Sequence, residues 1–517
     1  MRLADLVAAS STVAASSRRL DKVAALAAFL QRLAPQDVAI AVPFLAGALR
    51  QGKIGVGYAV IRQAADVPPA EVPTLVLADV DAAFDEVATA RGAGSSTRRV
   101  ERLRGLFQRA TREEQGFLVR LLFGELRQGA VEGVLLEGVA KACSIPVDRV
   151  RRAAMLAGAL APVAVDALTG GEAALSALRL SVFSPVQPML AASADDVEEA
   201  LGETGPASVE YKIDGARIQV HKSGDDVRIY SRTLRDVTAG LTDVVDAVRA
   251  LPARDLILDG EAIALRADGT PHPFQVTMRR FGRRADEKAL RSELPLTPMF
   301  FDCLYMDGTP TIDDPLARRV ALLEDVVPAA LRVPREAGGD RAAAEAFAQR
   351  AEEAGHEGVM VKALEAPYAA GRRGSAWVKV KRAQTLDLVV LAAEWGSGRR
   401  TGTLSNLHLG ARDPERGGFV MLGKTFKGLT DALLAWQTAE LLTREIGRDG
   451  HIVHVRPELV VEIAFNEIQE SPHYPGGLAL RFARVKRYRT DKTAAEADTI
   501  DTVRRIHTAF RTQNSEV

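Results

Sequence analysis

The feature that most constrains this chain is a change of pattern at residues 182–190, VFSPVQPML, where two prolines interrupt helix. Before this segment, apolar residues recur at the spacing of an amphipathic helix. The clearest helical face is formed by Leu20, Val23, Leu26, Leu30 and Leu33. After the segment, short apolar runs alternate with polar residues, as strands do. The pattern therefore predicts a helical N-terminal domain followed by a region of mixed structure.

The mixed region begins with a strand pair. Residues 217–221 and 227–230 alternate and flank the turn-forming segment 223–226, so they predict a β-hairpin. Further strand candidates are 256–261, 298–305, 358–362 and 377–381. Helical stretches separate these strands, and the pattern predicts an α+β domain.

From about Leu386 the chain consists mostly of short strands and turns, with one helix near residues 431–446. Such a pattern is typical of a small barrel of the oligonucleotide-binding (OB) type. We therefore predict three domains, which cover residues 1–180, 185–384 and 385–517. A length of 517 residues agrees with this number, because domains typically contain roughly 100–200 residues.

Composition excludes several classes of protein. The 67 basic and 67 acidic residues cancel, so any basic surface must be local. Two cysteines, Cys143 and Cys303, cannot form a disulfide scaffold or a four-cysteine zinc site. No apolar run approaches the roughly 20 residues that span a bilayer, and Asp5 interrupts the first apolar stretch. We expect a cytoplasmic protein without a membrane segment.

The centre of chemical interest is residues 210–217, EYKIDGAR, in which Lys212 stands between acidic residues just before an Asp-Gly turn. A lysine acts as a nucleophile only after losing its proton, which requires a charged or buried pocket. Basic clusters occur later, at 372–382 with five basic and no acidic residues and at 481–492 with six basic and one acidic. Positive charge of this kind suits phosphoryl transfer, which depends on positioning and electrostatic stabilisation.

One segment matches a phosphate-binding pattern formally. Residues 418–425, GFVMLGKT, fit GxxxxGK[ST]. The four intervening residues are apolar and predict a strand, whereas a phosphate-binding loop needs a flexible turn between a strand and a helix. We interpret this segment as a strand.

Residues 212–215, KIDG, match the KxDG motif of covalent nucleotidyltransferases, a class that comprises ATP-dependent DNA ligases, RNA ligases and capping enzymes. The motifs that follow resemble this family in order and spacing, and lie at 231–233, 258–261, 301–308, 356–362, 377–381 and 481–492. The last motif, with residues 496–499 after it, resembles the ligase version; Ala483 stands where the family commonly has proline, which removes no functional group. Residues 51–57 and 124–129 resemble the helical DNA-binding domain of archaeal and eukaryotic replicative-type ligases.

The resemblance implies a multidomain α+β fold: an all-α helical DNA-binding domain, an α+β nucleotidyltransferase domain of ATP-grasp-like type, and a C-terminal OB-fold β-barrel. It implies an ATP-dependent DNA ligase that seals nicks in duplex DNA through a lysyl-AMP intermediate, in replication, recombination and repair. ATP and Mg²⁺ are the implied cofactors. Nicked double-stranded DNA is the implied partner of a monomer associated with the nucleoid, with replication or repair proteins as further partners.

Residue roles follow from the matched motifs. The resemblance implies that Lys212 attacks the α-phosphate of ATP, that Glu210 reads the adenine amino group and that Phe301 stacks on the adenine. Glu261 would hold the ribose hydroxyls.

Further matched residues would handle phosphate, DNA and metal. Arg217 and Arg232 would bind ribose and phosphate or the DNA end, and Glu357 with Asp214 would bind the metal. The α-phosphate would be contacted by Arg373, Lys379 and Lys381. The leaving pyrophosphate would be oriented by Arg484 together with Arg481, Arg487, Asp491 and Lys492.

Basic stretches elsewhere suit contacts to DNA phosphates, which position a protein without reading sequence. They comprise Arg98, Arg99, Arg102, Arg104, Arg109 and Arg112 in the helical region and Arg279, Arg280, Arg283 and Arg284 in the middle region. The competing interpretation is surface charge paired with nearby acidic residues. Because the steps of ligation need different groups over one phosphorus, we expect the last domain to move about a hinge near residues 383–387.

Three alternatives remain. An RNA ligase or capping enzyme would not need the long helical region or the ligase-type last motif. An NAD-dependent ligase would need a zinc site that two cysteines cannot supply. A non-catalytic DNA-binding scaffold predicts loss of Lys212, Glu357, Lys379 or Lys381, and all four are present.

Overall fold

A computed structural model describes the chain apart from residues 127–131, 273, 283–292, 339, 371–372, 382–383, 397–399, 466 and 516–517. The chain divides into two compact units, Met1–Val380 and Lys381–Val517. The first unit contains the helical region together with the mixed region. The boundary between residues 380 and 381 lies next to the predicted hinge, of which residue 383 is outside the described part. The three-domain boundaries stay a prediction.

The N-terminal region is helical, as predicted. Its helices are α1 Leu3–Ala15, α2 Arg19–Leu30, α3 Pro35–Leu45, α4 Tyr58–Ala65, α5 Leu77–Thr89, α6 Ser95–Arg109, α7 Arg112–Phe123, α8 Glu132–Cys143, α9 Val147–Ala157 and α10 Leu160–Ala177. Val23, Leu26 and Leu30 are buried on the predicted face of α2. Leu20 on the same face is 79% exposed, because it lies in the first turn of the helix, beyond the packed part of that face.

Two sheets follow in the first unit. One has the strand order β1-β10-β9-β2-β8, and the other has the order β4-β3-β5-β6-β7. The strands are β1 Leu190–Ala194, β2 Ala207–Tyr211, β3 Ala216–Ser223, β4 Asp226–Ser231, β5 Asp255–Ala264, β6 Leu296–Met306, β7 Thr309–Pro310, β8 Arg335–Gly338, β9 Val359–Ala363 and β10 Arg373–Val380. The helices between them are α11 Val197–Thr204, α12 Thr242–Arg249, α13 Phe274–Gly282, α14 Leu316–Val326 and α15 Arg341–Glu353. The predicted hairpin is confirmed, since β3 and β4 pair through to Ser223 and Asp226.

The second unit is built around an antiparallel sheet with strand order β13-β12-β11-β15-β14, in which β16 pairs with β11 and β19 pairs with β16. Its strands are β11 Gln384–Trp395, β12 Leu404–Arg412, β13 Phe419–Thr425, β14 Glu445–Asp449, β15 Ile452–Val455, β16 Val460–Phe465, β17 Glu467–Glu470, β18 Leu478–Arg481 and β19 Arg484–Tyr488. Helices α16 Asp431–Thr443 and α17 Ile500–Ser515 accompany it. The segment with the formal phosphate-loop pattern is strand β13, as expected.

In the parts of the chain that the structure describes, no helix combines the length and apolar character needed to cross a membrane.

Candidate active site

The two faces of the β1-β10-β9-β2-β8 sheet differ in chemistry because side chains alternate along each strand. Val209, Val361 and Val378 lie in one apolar cluster with Phe347 of α15, so they bury the first face. Glu210 pairs across the sheet with Met360 and with Arg335, while Lys362 pairs with Trp377. The second face therefore carries charged and aromatic side chains.

Lys212 follows strand β2 and is held by its own backbone. Its N–H donates to the carbonyl of Gly358 at 2.9 Å, and its carbonyl accepts from the N–H of Glu357 at 3.3 Å. Its ammonium group forms an ion pair with the Glu357 carboxylate, and the two side chains are 18% and 28% exposed. The motifs at 212–215 and 356–362 thus meet at a solvent-accessible pair of opposite charges.

Glu261 carries an unusual protonation equilibrium. Its pKa is raised to about 8, chiefly by burial; Lys212 and Arg217 oppose the rise, and the Asp214 carboxylate adds to it. Because each of these effects depends on proximity, Lys212, Asp214 and Glu261 share one electrostatic environment. Arg217 stands opposite Glu261 in the pairing of β3 with β5.

Arg217 is anchored by a buried network. Its guanidinium donates to Asp259 through Nη2 at 2.7 Å and through Nε at 3.2 Å. It also donates to the carbonyl of Met189 at 2.7 Å, and the Tyr368 hydroxyl donates to Asp259 at 2.7 Å. Burial raises the pKa of Tyr368 well above its ordinary value, and the Asp259 charge adds to the rise. This network joins strands β3 and β5 to two loop residues, Met189 and Tyr368, that are distant in sequence.

Glu210 is 1% exposed and lies between two cations. Lys362 Nζ is 2.5 Å from Glu210 Oε2, and Arg335 Nη2 is 3.7 Å from Glu210 Oε1. Burial lowers the pKa of Lys362, and Glu210 opposes that shift. Glu210, which the resemblance implies reads the adenine amino group, is therefore part of a buried cluster of charged side chains.

Phe301 lies in an apolar cluster and is 9% exposed. Its ring meets that of Trp377 edge-on, with centroids 5.8 Å apart. Lys362 Nζ lies 4.2 Å from the Phe301 centroid and 4.3 Å from the Trp377 centroid. The predicted stacking residue thus belongs to an aromatic wall beside Glu210. Met155, Leu156 and Leu180 belong to the same cluster, so the helical region contributes to the core of this site.

The remaining predicted residues are distributed over both units. Lys379 pairs with Met360 and lies on the charged face of the first sheet. Arg232 is exposed on the turn after β4. Arg373 begins β10, but its side chain lies outside the described residues. Lys381 and Arg484 belong to the second unit.

The last motif is partly held by acidic residues of the second unit. Lys492 and Arg489 contact Asp387 at 2.6 and 3.0 Å, and Arg489 also contacts Asp491 at 2.6 Å. Arg487 pairs with Glu462 at 2.7 Å. These ion pairs give Arg487, Asp491 and Lys492 a structural role within the unit, which the sequence did not predict.

Most arginines of the first predicted basic stretch have partners within the protein. Arg99 donates to the carbonyls of Val87, Ala90 and Gly55, and Arg109 pairs with Asp79. Further pairings on α6 are Arg98 with the carbonyls of Arg91 and Ala93, Arg102 with Glu86, and Arg104 with the carbonyl of Gln63. The competing interpretation of the first stretch, paired surface charge, therefore fits these arginines better.

In the second stretch, one of the two described arginines has a partner inside the protein. Arg280 is buried and pairs with Asp243 at 3.1 Å, so the prediction of a DNA contact was wrong for this residue. Arg279 is exposed, and Arg283 and Arg284 lie outside the described residues.

The sequence analysis assigned no role to Arg335, Asp259 or Tyr368. It also did not predict the ion pair of Lys362 with Glu210. Signals existed for Asp259, which lies in the motif at 258–261, and for Lys362, which lies in the motif at 356–362 on the opposite side of its strand from Val359 and Val361. Arg335 and Tyr368 carry no motif.

Within the described residues, no group of three or more metal-binding side chains is arranged to hold an ion. The oxygen donors near Lys212 are the carboxylates of Glu357, Asp214 and Glu261. Such a set fits Mg²⁺ only if the ion takes its remaining ligands from water and phosphate, which is the usual manner of Mg²⁺ binding.

Comparison with family models gives three matches in chain order. Residues 58–140 match "DNA ligase N terminus", residues 188–381 match "ATP dependent DNA ligase domain" and residues 400–492 match "ATP dependent DNA ligase C terminal region". The second match covers the Lys212 site, and the third covers the last motif.

Curated relatives match almost the whole chain. A "Probable DNA ligase" of Anaeromyxobacter sp. (strain Fw109-5) is 59% identical over 509 residues, which are 98% of each chain. A "Probable DNA ligase" of Sorangium cellulosum (strain So ce56) is 56% identical and covers 98% of this chain and 95% of its own. The solved structure "Pmar-Lig_PreS3" is 18% identical, with a TM-score of 0.58 over 94% of this chain and 99% of its own, and is similar in fold.

Proposed function

Because this chain belongs to the family of ATP-dependent DNA ligases, we propose that Lys212 is the residue that carries the adenylate during nick sealing. The observation that carries this proposal is the position of Lys212: it follows strand β2, is partly exposed and pairs with Glu357 beside a group of buried charges. A surface lysine would have no such surroundings.

The chemistry proceeds in three transfers at phosphorus. Lys212 Nζ, once deprotonated, attacks the α-phosphorus of ATP; a P–N bond forms, the bond to the bridging oxygen breaks and pyrophosphate leaves. The 5′-phosphate at a nick then attacks the same phosphorus, and the P–N bond breaks. Finally the 3′-hydroxyl attacks the activated 5′-phosphate, gives up its proton and releases AMP.

The base would bind beside Glu210 and the Phe301–Trp377 wall. A carboxylate accepts hydrogen bonds from the exocyclic amino group of adenine, and aromatic rings offer flat apolar contact. Glu261 would accept from the ribose hydroxyls. Its pKa of about 8 leaves it largely protonated at neutral pH in the nucleotide-free state, and cations brought near it would favour ionisation.

Arg217 and Arg232 would face the ribose, phosphate or DNA end. Arg217 is held in place by Asp259 and Met189, so it can act as a fixed positive charge without reorganising. Arg232, exposed on its turn, is accessible to DNA.

Mg²⁺ would be held by Glu357 and Asp214. When bound, it supplies positive charge to the phosphates. Glu357, which contacts Lys212 in this structure, would be the carboxylate that holds the ion, and Lys212 would then be without that counter-ion. Arg373, Lys379 and Lys381 would neutralise the α-phosphate, and Arg484 would orient the pyrophosphate.

DNA ligases act on nicked DNA. For this chain we propose a monomer in the cytoplasm that associates with the nucleoid, contacts duplex DNA through all three predicted domains, and works with replication or repair proteins.

The test uses the full chain, ATP labelled at the α-phosphate and Mg²⁺. We expect the label to become covalently attached to the wild type and to be absent from Lys212→Ala. Lys141→Ala, at an exposed lysine of α8, is the matched control and should label normally. Retained label in Lys212→Ala refutes the assignment. Sealing of a nicked duplex with ATP, compared with NAD, then tests the donor.

A further inference from the structure

Arg335, a residue outside all of the motifs, lies directly opposite Glu210 where β8 pairs with β2. Its side chain is 13% exposed, and its Nη2 is 3.7 Å from Glu210 Oε1. Lys362 takes the other oxygen, Oε2, at 2.5 Å. The carboxylate is therefore divided between two cations, one on each oxygen.

This buried group has unused hydrogen-bonding capacity. Glu210 Oε1, both terminal nitrogens of Arg335 and the hydroxyl of Ser208 are buried without a hydrogen-bond partner in the described structure. The contact between Arg335 and Glu210 is thus ionic and lacks the geometry of a directed hydrogen bond. Because buried polar atoms are nearly always hydrogen-bonded, such a concentration points to a ligand that brings both donors and acceptors.

The ligand that fits is a flat heterocycle. The aromatic rings of Phe301 and Trp377 border Lys362 at 4.2 and 4.3 Å, so polar groups and ring surfaces meet at one place. A nucleobase offers ring faces for the aromatic side chains, an amino group for Glu210 and ring nitrogens for a cation.

We propose that Arg335 is a positioning residue for base recognition, which holds Glu210 so that Oε1 accepts from the amino group of adenine. The proposal rests on the proposed function and deepens it. Two physical reasons single out Arg335. A guanidinium stays protonated in proteins, so it remains a counter-charge even where burial disfavours the charged form of Lys362. Arg335 also lies next to Oε1, the oxygen of Glu210 that Lys362 does not contact. Without Arg335, the Glu210 carboxylate would turn both oxygens toward Lys362.

The experiment compares two nucleotides that differ by one group. Self-adenylation of the full chain is measured with ATP and with purine riboside 5′-triphosphate, which lacks the amino group. A site that hydrogen-bonds an amino group rejects an analogue without it, so wild type should prefer ATP, and Arg335→Met should reduce that preference by roughly tenfold or more. The loss should arise from a higher KM for ATP, with kcat nearly unchanged.

Two further variants distinguish a positioning role of Arg335 from a general effect of the substitution on folding. Arg335→Lys retains a cation opposite Glu210 and should recover part of the preference. Arg350→Met removes a 53%-exposed arginine of α15 that pairs with Glu336 on β8, and should leave the preference at the wild-type value. Thermal unfolding of each variant is measured alongside.

The outcomes are distinct. Arg335→Met with the wild-type preference overturns the proposal, as does an equal loss of kcat with both nucleotides or a wild type that does not distinguish them. If Arg335→Met fails to fold, an unchanged preference in Arg335→Lys together with an unchanged KM for ATP overturns it. A wild type that takes label from neither nucleotide overturns the proposed function itself.

Discussion

The ammonium group of Lys212 pairs with the carboxylate of Glu357, a residue 145 positions later in the chain. The contact depends on two backbone hydrogen bonds between the segments, so the positions of both side chains are set by the pairing of β2 with β9. A carboxylate next to an ammonium group stabilises the charged amine, whereas attack on phosphorus needs the neutral amine. The Lys212–Glu357 ion pair is therefore a resting state. The binding of nucleotide and metal must break this ion pair before Lys212 can react.

The first prediction concerns Glu357→Gln, which keeps the shape of the side chain and removes its charge. We expect self-adenylation to need a Mg²⁺ concentration raised by roughly tenfold or more, because a hard cation loses one of few carboxylate ligands. A Mg²⁺ titration of covalent labelling measures this. Glu353→Gln, at an exposed position of α15, is the control. An unchanged Mg²⁺ midpoint in Glu357→Gln would contradict the assignment of Glu357 as a metal ligand.

The second prediction concerns the buried ion pair of Arg319 and Asp302. Both side chains are fully buried, with Arg319 Nε 2.7 Å from Asp302 Oδ1, next to Phe301. Arg319→Met should lower the free energy of unfolding of the first unit by about 3–5 kcal/mol, because a charged carboxylate would remain buried without its partner.

Urea denaturation followed by circular dichroism measures this loss. Glu345→Gln breaks the exposed pair of Arg341 and Glu345 and should cost less than about 1 kcal/mol. Equal effects of the two substitutions would show that burial of the Arg319 pair has no energetic consequence.

These contacts show how much of the site could be predicted from the sequence. Lys212 and Glu357 were predicted as site residues because both stand in motifs, and the hairpin of β3 and β4 was predicted correctly because its turn and alternation are local. Arg335 could not be identified, since its role depends on which strand lies beside β2, and strand order is a long-range property. The same holds for Tyr368, whose hydroxyl reaches Asp259 across 109 positions.

The prediction of a DNA contact from the charge pattern was wrong at Arg280 for a related reason. A run of arginines shows that positive charge is available, but not whether acidic groups or backbone carbonyls of other elements neutralise it. Arg280 is an example: its partner Asp243 lies on α12, 37 positions earlier. The sequence alone does not reveal that packing of α12 against this region buries the pair.

The third prediction separates the steps of the reaction. Arg484→Ala should slow self-adenylation by roughly a hundredfold, the usual effect of losing one charge-stabilising group, and should slow sealing of a pre-adenylated nick much less. Both rates are measured on the same preparation. Arg487→Ala, on the same strand β19, removes a side chain that pairs with Glu462, and we expect a smaller effect on adenylation. Equal losses in both assays for Arg484→Ala would argue against a pyrophosphate role.

The fourth prediction is a pH dependence of stability in the second unit. Glu394 accepts hydrogen bonds from His408 at 2.9 Å, from Asn406 at 2.7 Å and from Lys424 at 2.5 Å. Burial alone would raise its pKa, but these three donors outweigh burial and lower the pKa to about 2. The carboxylate is therefore ionised and bound across the neutral range.

A carboxyl group whose pKa is lower in the folded state stabilises the protein above its unfolded pKa, which is about 4.3, and the stabilisation is lost as pH falls toward the folded pKa. The difference between the ordinary pKa of 4.5 and the folded-state pKa of about 2 corresponds to a stabilisation on the order of 3 kcal/mol. Glu394→Gln should thus be destabilised relative to wild type at pH 7, and the difference should shrink between about pH 4.5 and pH 2. Thermal unfolding of both proteins at pH 7, 4 and 3 measures it. A difference that stays constant over this range would show that the charge of Glu394 does not provide the stabilisation.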